Sequence, residues 1–322
     1  MDRRQFLLAT AATTFCAGGS ARAQTKTARI VIGFAAGGPG DLLARVVADQ
    51  MKPRWAPSVI VDNRPGGAGR IAIDVVRTAE PDGLTLINTP ASILTILPHA
   101  YKAQPFDPFK DLVPVAGLTE LDFAVVAGPM APAKTLADYI AMARADAKIA
   151  TYGTAGVGTP QHLIGFKLQQ ATGVTLTHVP YRGGGPALQD TIGGQLPATI
   201  GVISGPMIGA HNAGTVRILA TTGSKRSTFL PDVPTIEEAG FKGVVAADWS
   251  GLLAPAGTPP VVIEEISRIA LDVVNTAAYR DAVGKLNMVP LPLGPAACAA
   301  RLRAEYDYWG PAVKATGFTQ EG

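Results

Sequence analysis

The chain has 322 residues, 47% of them hydrophobic and 16% charged, with a formal net charge of +3 at pH 7. That balance supplies neither the basic face that nucleic acid or an anionic membrane requires nor the charge-rich, core-poor composition of a disordered chain. With 36 Gly and 26 Pro it is rich in turns, and it is long enough for two lobes of ordinary domain size.

At the N-terminus, Asp2-Arg3-Arg4-Gln5-Phe6-Leu7 is a twin-arginine pattern, and Ala21-Arg22-Ala23 is a small-x-small cleavage signal. The apolar run between them, Leu7 to Ala17, is too short to span a bilayer. Residues 1–23 are therefore expected to be a twin-arginine-type signal peptide cut after Ala23, leaving 299 of the 322 residues as a soluble, periplasmic protein. Loss of Arg3, Arg4 and Arg22 against Asp2 lowers the net charge from +3 to +1. Cys16 follows Phe15 rather than a small residue, which argues against a lipoprotein cysteine, and Cys298 then has no internal disulfide partner.

The β-branched stretch Ile30-Val31-Ile32 leads into a glycine-rich turn, Gly33 to Asp41, and then into a helix whose apolar face reads Leu42, Leu43, Val46, Val47 and Met51. Strand signals follow at Val59–Val61, at Leu84–Ile87 after the turn Pro81-Asp82-Gly83, and at Phe123–Val126. A helix carrying Leu136, Tyr139, Ile140 and Ala143 precedes the strand Ile149–Tyr152. A second glycine-rich turn, Gly153 to Pro160, opens the helix beginning His162-Leu163-Ile164. Beyond it alternate the strand Thr175–Val179, helix Ala187–Ile192, strand Ala198–Ile200, helix Met207–Asn212 and strand Arg217–Ala220. Trp249–Leu253 reads as a strand before three helices near 259–276, 278–285 and 295–316. Strands spaced by helices imply an α/β fold with a mainly parallel sheet covered on both sides. The two glycine turns have the chemistry of an anion clamp. Without a Cβ in the way, backbone N–H groups face the guest, and the following helix adds unpaired N–H groups and its positive dipole end.

Six segments carry a family resemblance: Phe34-Ala35-Ala36-Gly37-Gly38 with Asp41 and Arg45; Val61 to Gly66; Pro81-Asp82-Gly83; Val179 to Gly184; Pro231 to Thr235 with Glu238-Ala239-Gly240; and Ala254 to Pro259. In this order they resemble the signature segments of the Bug (TctC-like) receptors, the extracytoplasmic solute receptors of tripartite tricarboxylate transporters, from about residue 28 to the C-terminus. The resemblance implies a two-lobed periplasmic binding protein fold (type II-like), two α/β domains joined by a double-crossover hinge. Lobe 1 would take 24–125 plus 248–322 and lobe 2 would take 126–247, with the glycine turns facing each other across the cleft.

The same resemblance implies that a ligand carboxylate is held by backbone groups and ordered water, here at Ala36, Gly37 and Gly38 on one side and Gly156, Val157, Gly158 and Thr159 on the other. Asp41, an acidic residue at a helix start, is read as a cap for backbone N–H groups. Thr89, Ser92 and Ser204 follow strands and present hydroxyls to a second polar group or to their own backbone, with equal weight. Arg182 is a candidate partner for a second carboxylate, against the alternative of a solvated rim residue, and Arg70 is expected to be exposed.

No Gly-x-Ser-x-Gly elbow, His-Glu-x-x-His, Cys-x-x-Cys or phosphate-binding loop occurs in the sequence. Gly156-x-Gly158 lacks the third glycine of a dinucleotide fingerprint, because Gln stands at 161. His99, His162, His178 and His211 lack metal-ligand spacing and are read as capping, packing or surface residues. The expected protein is a monomeric receptor without catalytic residues, metal or cofactor, whose partners are a small organic carboxylate and the membrane components of the transporter. Two rivals remain: a sensor presenting its ligand to a membrane kinase, and a secreted hydrolase using a cleft serine. Which carboxylate is bound is left open.

Overall fold

The computed structural model describes residues 27–317 except 35, 67–68, 102–105 and 182. The expected signal peptide and Arg182 thus lie outside the described residues. In chain order the elements are β1 (Thr27–Ile32), α1 (Pro39–Trp55), β2 (Ser58–Asn63), α2 (Arg70–Arg77), β3 (Thr85–Pro90), α3 (Ala91–Thr95), α4 (Leu97–Ala100) and β4 (Leu112–Ala127). Then come α5 (Leu136–Ala145), β5 (Thr151–Thr154), α6 (Pro160–Thr172), β6 (Thr177–Pro180), α7 (Gly184–Ile192), β7 (Ala198–Val202), α8 (Gly205–Asn212) and β8 (Arg217–Thr221). The last are β9 (Ala247–Pro255), α9 (Pro260–Val274), α10 (Ala277–Gly284), β10 (Val289–Pro290) and α11 (Pro295–Ala315).

One curled sheet unites them in the order β2-β1-β3-β9-β4-β7-β5-β6, with β8 and β10 also on β4, and it is mixed rather than mainly parallel because every pairing of β4 and β9 is antiparallel. The first 11 residues of β4, Leu112 to Asp122, pair with β9, and its remainder, Phe123 to Ala127, pairs with β7 and β8. The pairing changes hands between Asp122, opposite Ala247, and Phe123, opposite Val202. The returning chain crosses at the same level, where the Ala246 N–H donates to Thr222 O at 2.8 Å just before β9 begins.

Alternation along the strands loads both sheet faces. Ile30, Ile32 and Leu86 pack against Leu43, Val47 and Met51 of α1 and Ile266 and Ile269 of α9. Val31 and Ile87 pack on the other side against Ile73 and Val76 of α2 and Leu302 of α11. Each such fully buried side chain contributes about 1.5–3 kcal/mol of transfer free energy. In the second half, Phe123, Tyr139, Leu163 and Ile200 share a core that Trp309 and Val313 of α11 join, so the C-terminal helix packs on both halves.

Leu42 is 40% exposed, unlike the rest of its expected stripe, because the buried α1 rows run Leu43-Val47-Met51 and Ala44-Ala48. Arg70 is half-buried rather than exposed, with its guanidinium 4.5 Å from the Tyr101 ring centroid. No helix of the described residues is long and apolar enough to cross a membrane.

Candidate functional site

At the first turn the chain is shaped before any guest arrives. A Cβ on Gly33 would lie 2.6 Å from Gly69 Cα, so the turn and the loop before α2 meet backbone to backbone. Gly37 holds φ +83°, in the left-handed region. Asp41, the third residue of α1 and only 2% exposed, gathers the turn. Its Oδ2 accepts from Arg45 Nε and from the Gly37 N–H, both at 2.9 Å, and its Oδ1 accepts from Asn63 Nδ2 at 3.1 Å. These bonds, the one from Arg45 foremost, hold the Asp41 carboxyl down at about 2. Asp41 thus caps backbone N–H as expected, and the Gly37 amide is already engaged. The amides of Ala36 and Gly38 have no intramolecular acceptor among the described residues.

The second turn is built in the same way on neutral groups. Thr159 is the N-cap of α6, accepting the His162 N–H at 3.4 Å and donating to Gly156 O at 2.8 Å. Gly158, at φ +73°, donates its amide to His162 Nδ1 at 3.3 Å. An Nδ1 that accepts is unprotonated, so this contact selects the neutral imidazole with its proton on Nε2. The His162 ring stacks on His178 with centroids 4.1 Å apart, and His178 Nε2 is bonded to Thr154 Oγ1 at 2.7 Å. Burial lowers both imidazoles, His178 to about 4 with the neighbouring His162 as the second cause. Gly156 donates to Thr154 Oγ1 at 3.3 Å, and the amides of Ala155, Val157 and Thr159 have no intramolecular acceptor among the described residues. Outside the turns, the His211 Nδ1 accepts the Ile218 N–H and His99 Nε2 meets Tyr306 O, so these histidines also hold backbone.

Strand direction aims the two turns at each other. β3 is antiparallel to β9 and β9 to β4, so β1 and β3 run along β4, and β3 ends with Pro90 opposite Ser250, itself opposite Thr119. β5 is parallel to β7 and β7 antiparallel to β4, so β5 runs the other way and reaches Gly153 opposite Thr199, itself opposite Val126. The C-terminal ends of β1 and β5, each continuing into its glycine turn and helix, therefore converge from opposite ends of β4. Between Thr119 and Val126 lies roughly 20 Å of strand. In open α/β sheets ligands sit outside the carboxyl ends of strands.

The other sequence candidates divide. Thr89 is buried and donates to Pro90 O at 3.3 Å. Ser92 is buried and committed elsewhere, donating its hydroxyl to Asp248 Oδ2 at 2.6 Å and its N–H to Asp248 Oδ1 at 3.2 Å. Ser204 is the half-buried N-cap residue of α8 and makes no side-chain cap bond. Sequence reasoning missed Asp248, whose role needs the distant Ser92, and two amides: Asn88 at the end of β3 and Gln161 at the start of α6. Among the described residues, the buried Asn88 Oδ1 and Gln161 Oε1 have no hydrogen-bond partner. A polar residue ending an apolar strand run, as in Leu86-Ile87-Asn88, is the one signal that pointed to the first.

A cavity of about 460 Å³ lies apart from the turns, at the crossing of the two halves, where Asp122, Gly223, Lys225, Arg301 and Trp309 line it. Arg301 there pairs with Glu120 at 2.5 Å and Glu305 at 2.8 Å. Burial, and then Glu120, push the Asp122 carboxyl up to about 6.

The profile of the family described as "Tripartite tricarboxylate transporter family receptor" matches residues 43–317. Protein BugT of Bordetella pertussis is 30% identical over 295 residues, covering 90% of this chain and 89% of its own. Among solved structures, an R. palustris protein with adipate superposes at TM-score 0.81 with 29% identity, covering 92% of this chain and 99% of its own. MatC from Rhodopseudomonas palustris with bound malate superposes at 0.76 with 30% identity, covering 89% and 98%.

Proposed function

Since the chain belongs to the tripartite tricarboxylate transporter receptor family, we propose that it is an exported receptor that captures a small organic carboxylate between its glycine turns and delivers it to the membrane components of such a transporter. Receptors of this family bind solutes rather than transform them. The observation that carries the ligand class is the pair of opposed turns with partner-free amides, Ala36 and Gly38 on one side and Val157 and Thr159 on the other. Four N–H groups and the dipole ends of α1 and α6 make a preformed receptor for the two oxygens of a carboxylate. The chemistry is anion recognition by dipoles, since Arg45, one turn beyond Asp41 in α1, is neutralised by that carboxylate. Malate and adipate, the guests named for the two R. palustris neighbours, are both small carboxylates.

Binding and closure are coupled in this reading. The crossovers near 125 and 248 act as the hinge between lobe 1 (24–125 plus 248–322) and lobe 2 (126–247), and a carboxylate touching both turns stabilises the closed form. The protein works in the periplasm, after cleavage behind Ala23, as a monomer.

The test is calorimetry on the mature protein with malate, adipate and a panel of other small acids, each recovered afterwards for analysis. Saturable binding of at least one acid, returned unchanged, is expected. An acid at about 100 times its Kd raises stability by roughly 2.7 kcal/mol, which a thermal shift registers. Absence of binding across the panel, or chemical conversion of the acid, overturns the reading.

A further inference from the structure

Two buried amides adjoin the elements that carry the glycine turns, Asn88 on β3 beside β1 and Gln161 as the second residue of α6. Asn88 is 3% exposed and Gln161 is 6% exposed, and the side-chain oxygen of each has no hydrogen-bond partner among the described residues. A buried acceptor left unmade costs about 1–3 kcal/mol, so each such group asks for a reason. Thr95, Thr119 and Thr221, in α3, β4 and β8, also have unpartnered buried oxygens, but a hydroxyl can donate as well as accept, whereas an amide oxygen only accepts.

Placement ties the amides to the cleft. Alternation along β3 puts Asn88 on the sheet face of Leu86, which packs with Ile32 and with Leu43 of α1, so Asn88 continues that face toward the first turn of α1. Gln161 is the second residue of α6, immediately after the second turn. One amide therefore belongs to each half of the sheet, each at the end of its element that converges on the other.

We infer that Asn88 and Gln161 are specificity-determining residues that accept a hydrogen bond from a donor on the bound carboxylate, so that hydroxy or amino acids are bound in preference to the plain acid of the same skeleton. This rests on the carboxylate-receptor reading above. The turns supply only donors, which suit carboxylate oxygens, whereas an orphan amide oxygen suits a hydroxyl or an ammonium group. A donor-bearing ligand relieves the desolvation cost of the amides on binding, and a plain acid leaves it in place. Sites that discriminate by such unpaired groups reject the analogue lacking the donor far more strongly than apolar pockets reject a missing methylene.

The experiment compares the mature protein with Asn88→Leu and Gln161→Met, near-isosteric changes that remove the polar group. Affinities for succinate, malate and aspartate are measured by calorimetry, and the unfolding midpoint is measured without ligand. The native protein should bind malate or aspartate at least tenfold more tightly than succinate, with the ratio falling below threefold in each variant. The ligand-free midpoints of the variants should equal or exceed that of the native protein, because an unsatisfied buried group has been removed. Equal affinity of the native protein for all three acids, or a tenfold preference retained by both variants, overturns the inference. So does a fall of the ligand-free midpoint in both variants, which marks the amides as structural. If none of the three acids binds, it is the carboxylate reading for these skeletons that has failed, and the midpoints still decide the amides in the same two directions.

Discussion

Ser92 donates its hydroxyl to Asp248 Oδ2 at 2.6 Å, joining the helix that follows β3 to the strand that follows the second crossover. Asp248 also accepts the N–H groups of Ser92 and Trp249. Burial pushes its carboxyl up, and the bonds from Ser92 and Trp249 draw it back down. Two segments distant in sequence are thereby fixed at the level where the sheet changes partners.

Ser92→Ala removes the shortest of these bonds and leaves a buried carboxyl under-satisfied. The expected loss is about 1–3 kcal/mol of stability. Denaturant unfolding of the ligand-free protein measures it, and an unchanged midpoint would refute a structural role for the pair.

Asp122 gives the crossing a pH dependence. Its folded value, pushed up to about 6, exceeds the ordinary carboxylate value, so the native state binds the proton more tightly than the unfolded chain. The stability it contributes is complete below about pH 4 and is lost as the pH rises through about 6. Asp122→Asn should remove that slope and raise stability at pH 7 by about 1–2 kcal/mol, allowing for solvent screening of a partly accessible group. Urea midpoints at pH 4 and pH 7 decide it: parallel behaviour of the two proteins counts against the assignment.

His178 acts with the opposite sign. Its folded value is lowered to about 4, so the unfolded chain binds the proton more tightly, and the stability it contributes is present above about pH 6.5 and lost as the pH falls toward 4. His178→Gln keeps an amide able to bond Thr154 but does not titrate. The variant should lose less stability than the native protein between pH 6.5 and 4 in the same urea measurements. Equal acid losses would show that another group carries the effect.

Much of this architecture was legible in the sequence because it rests on local signals. β-Branched runs, glycine turns and proline at helix starts located β1, β2, β3, both turns and the three C-terminal helices near their observed bounds. What escaped was set by long-range pairing. β4 is a 16-residue strand, yet only Phe123–Val126 read as one. Pro114, Gly117 and the polar Thr119, Glu120 and Asp122 break its pattern, and the register shifts near Pro114 and Gly117 absorb the break. The short α3 and α4 carry too few residues for a helical period. At the candidate site, the glycine turns and the Asp41 cap were legible from spacing, whereas the Ser92–Asp248 bond, the stacked His162–His178 pair and the unpartnered amides of Asn88 and Gln161 exist only once distant segments meet.

The two glycines at the heart of the turns should respond differently to the same substitution, because their backbones differ. Gly38 is extended, at φ −79° and ψ 168°, a conformation valine adopts without strain. Gly38→Val is therefore expected to act by placing a branched side chain where a carboxylate oxygen would approach the amide, without backbone strain. Affinity for whichever acid binds the native protein should fall at least a hundredfold, about 2.7 kcal/mol, with the ligand-free midpoint held. Gly158 sits at φ +73°, which a β-branched residue rarely takes, and its amide anchors His162. Gly158→Val should lose the same affinity and, in addition, about 1–3 kcal/mol of ligand-free stability. Calorimetry beside ligand-free unfolding separates the two. Near-native affinity in Gly38→Val would remove the first turn from the binding site, whatever happens at the second.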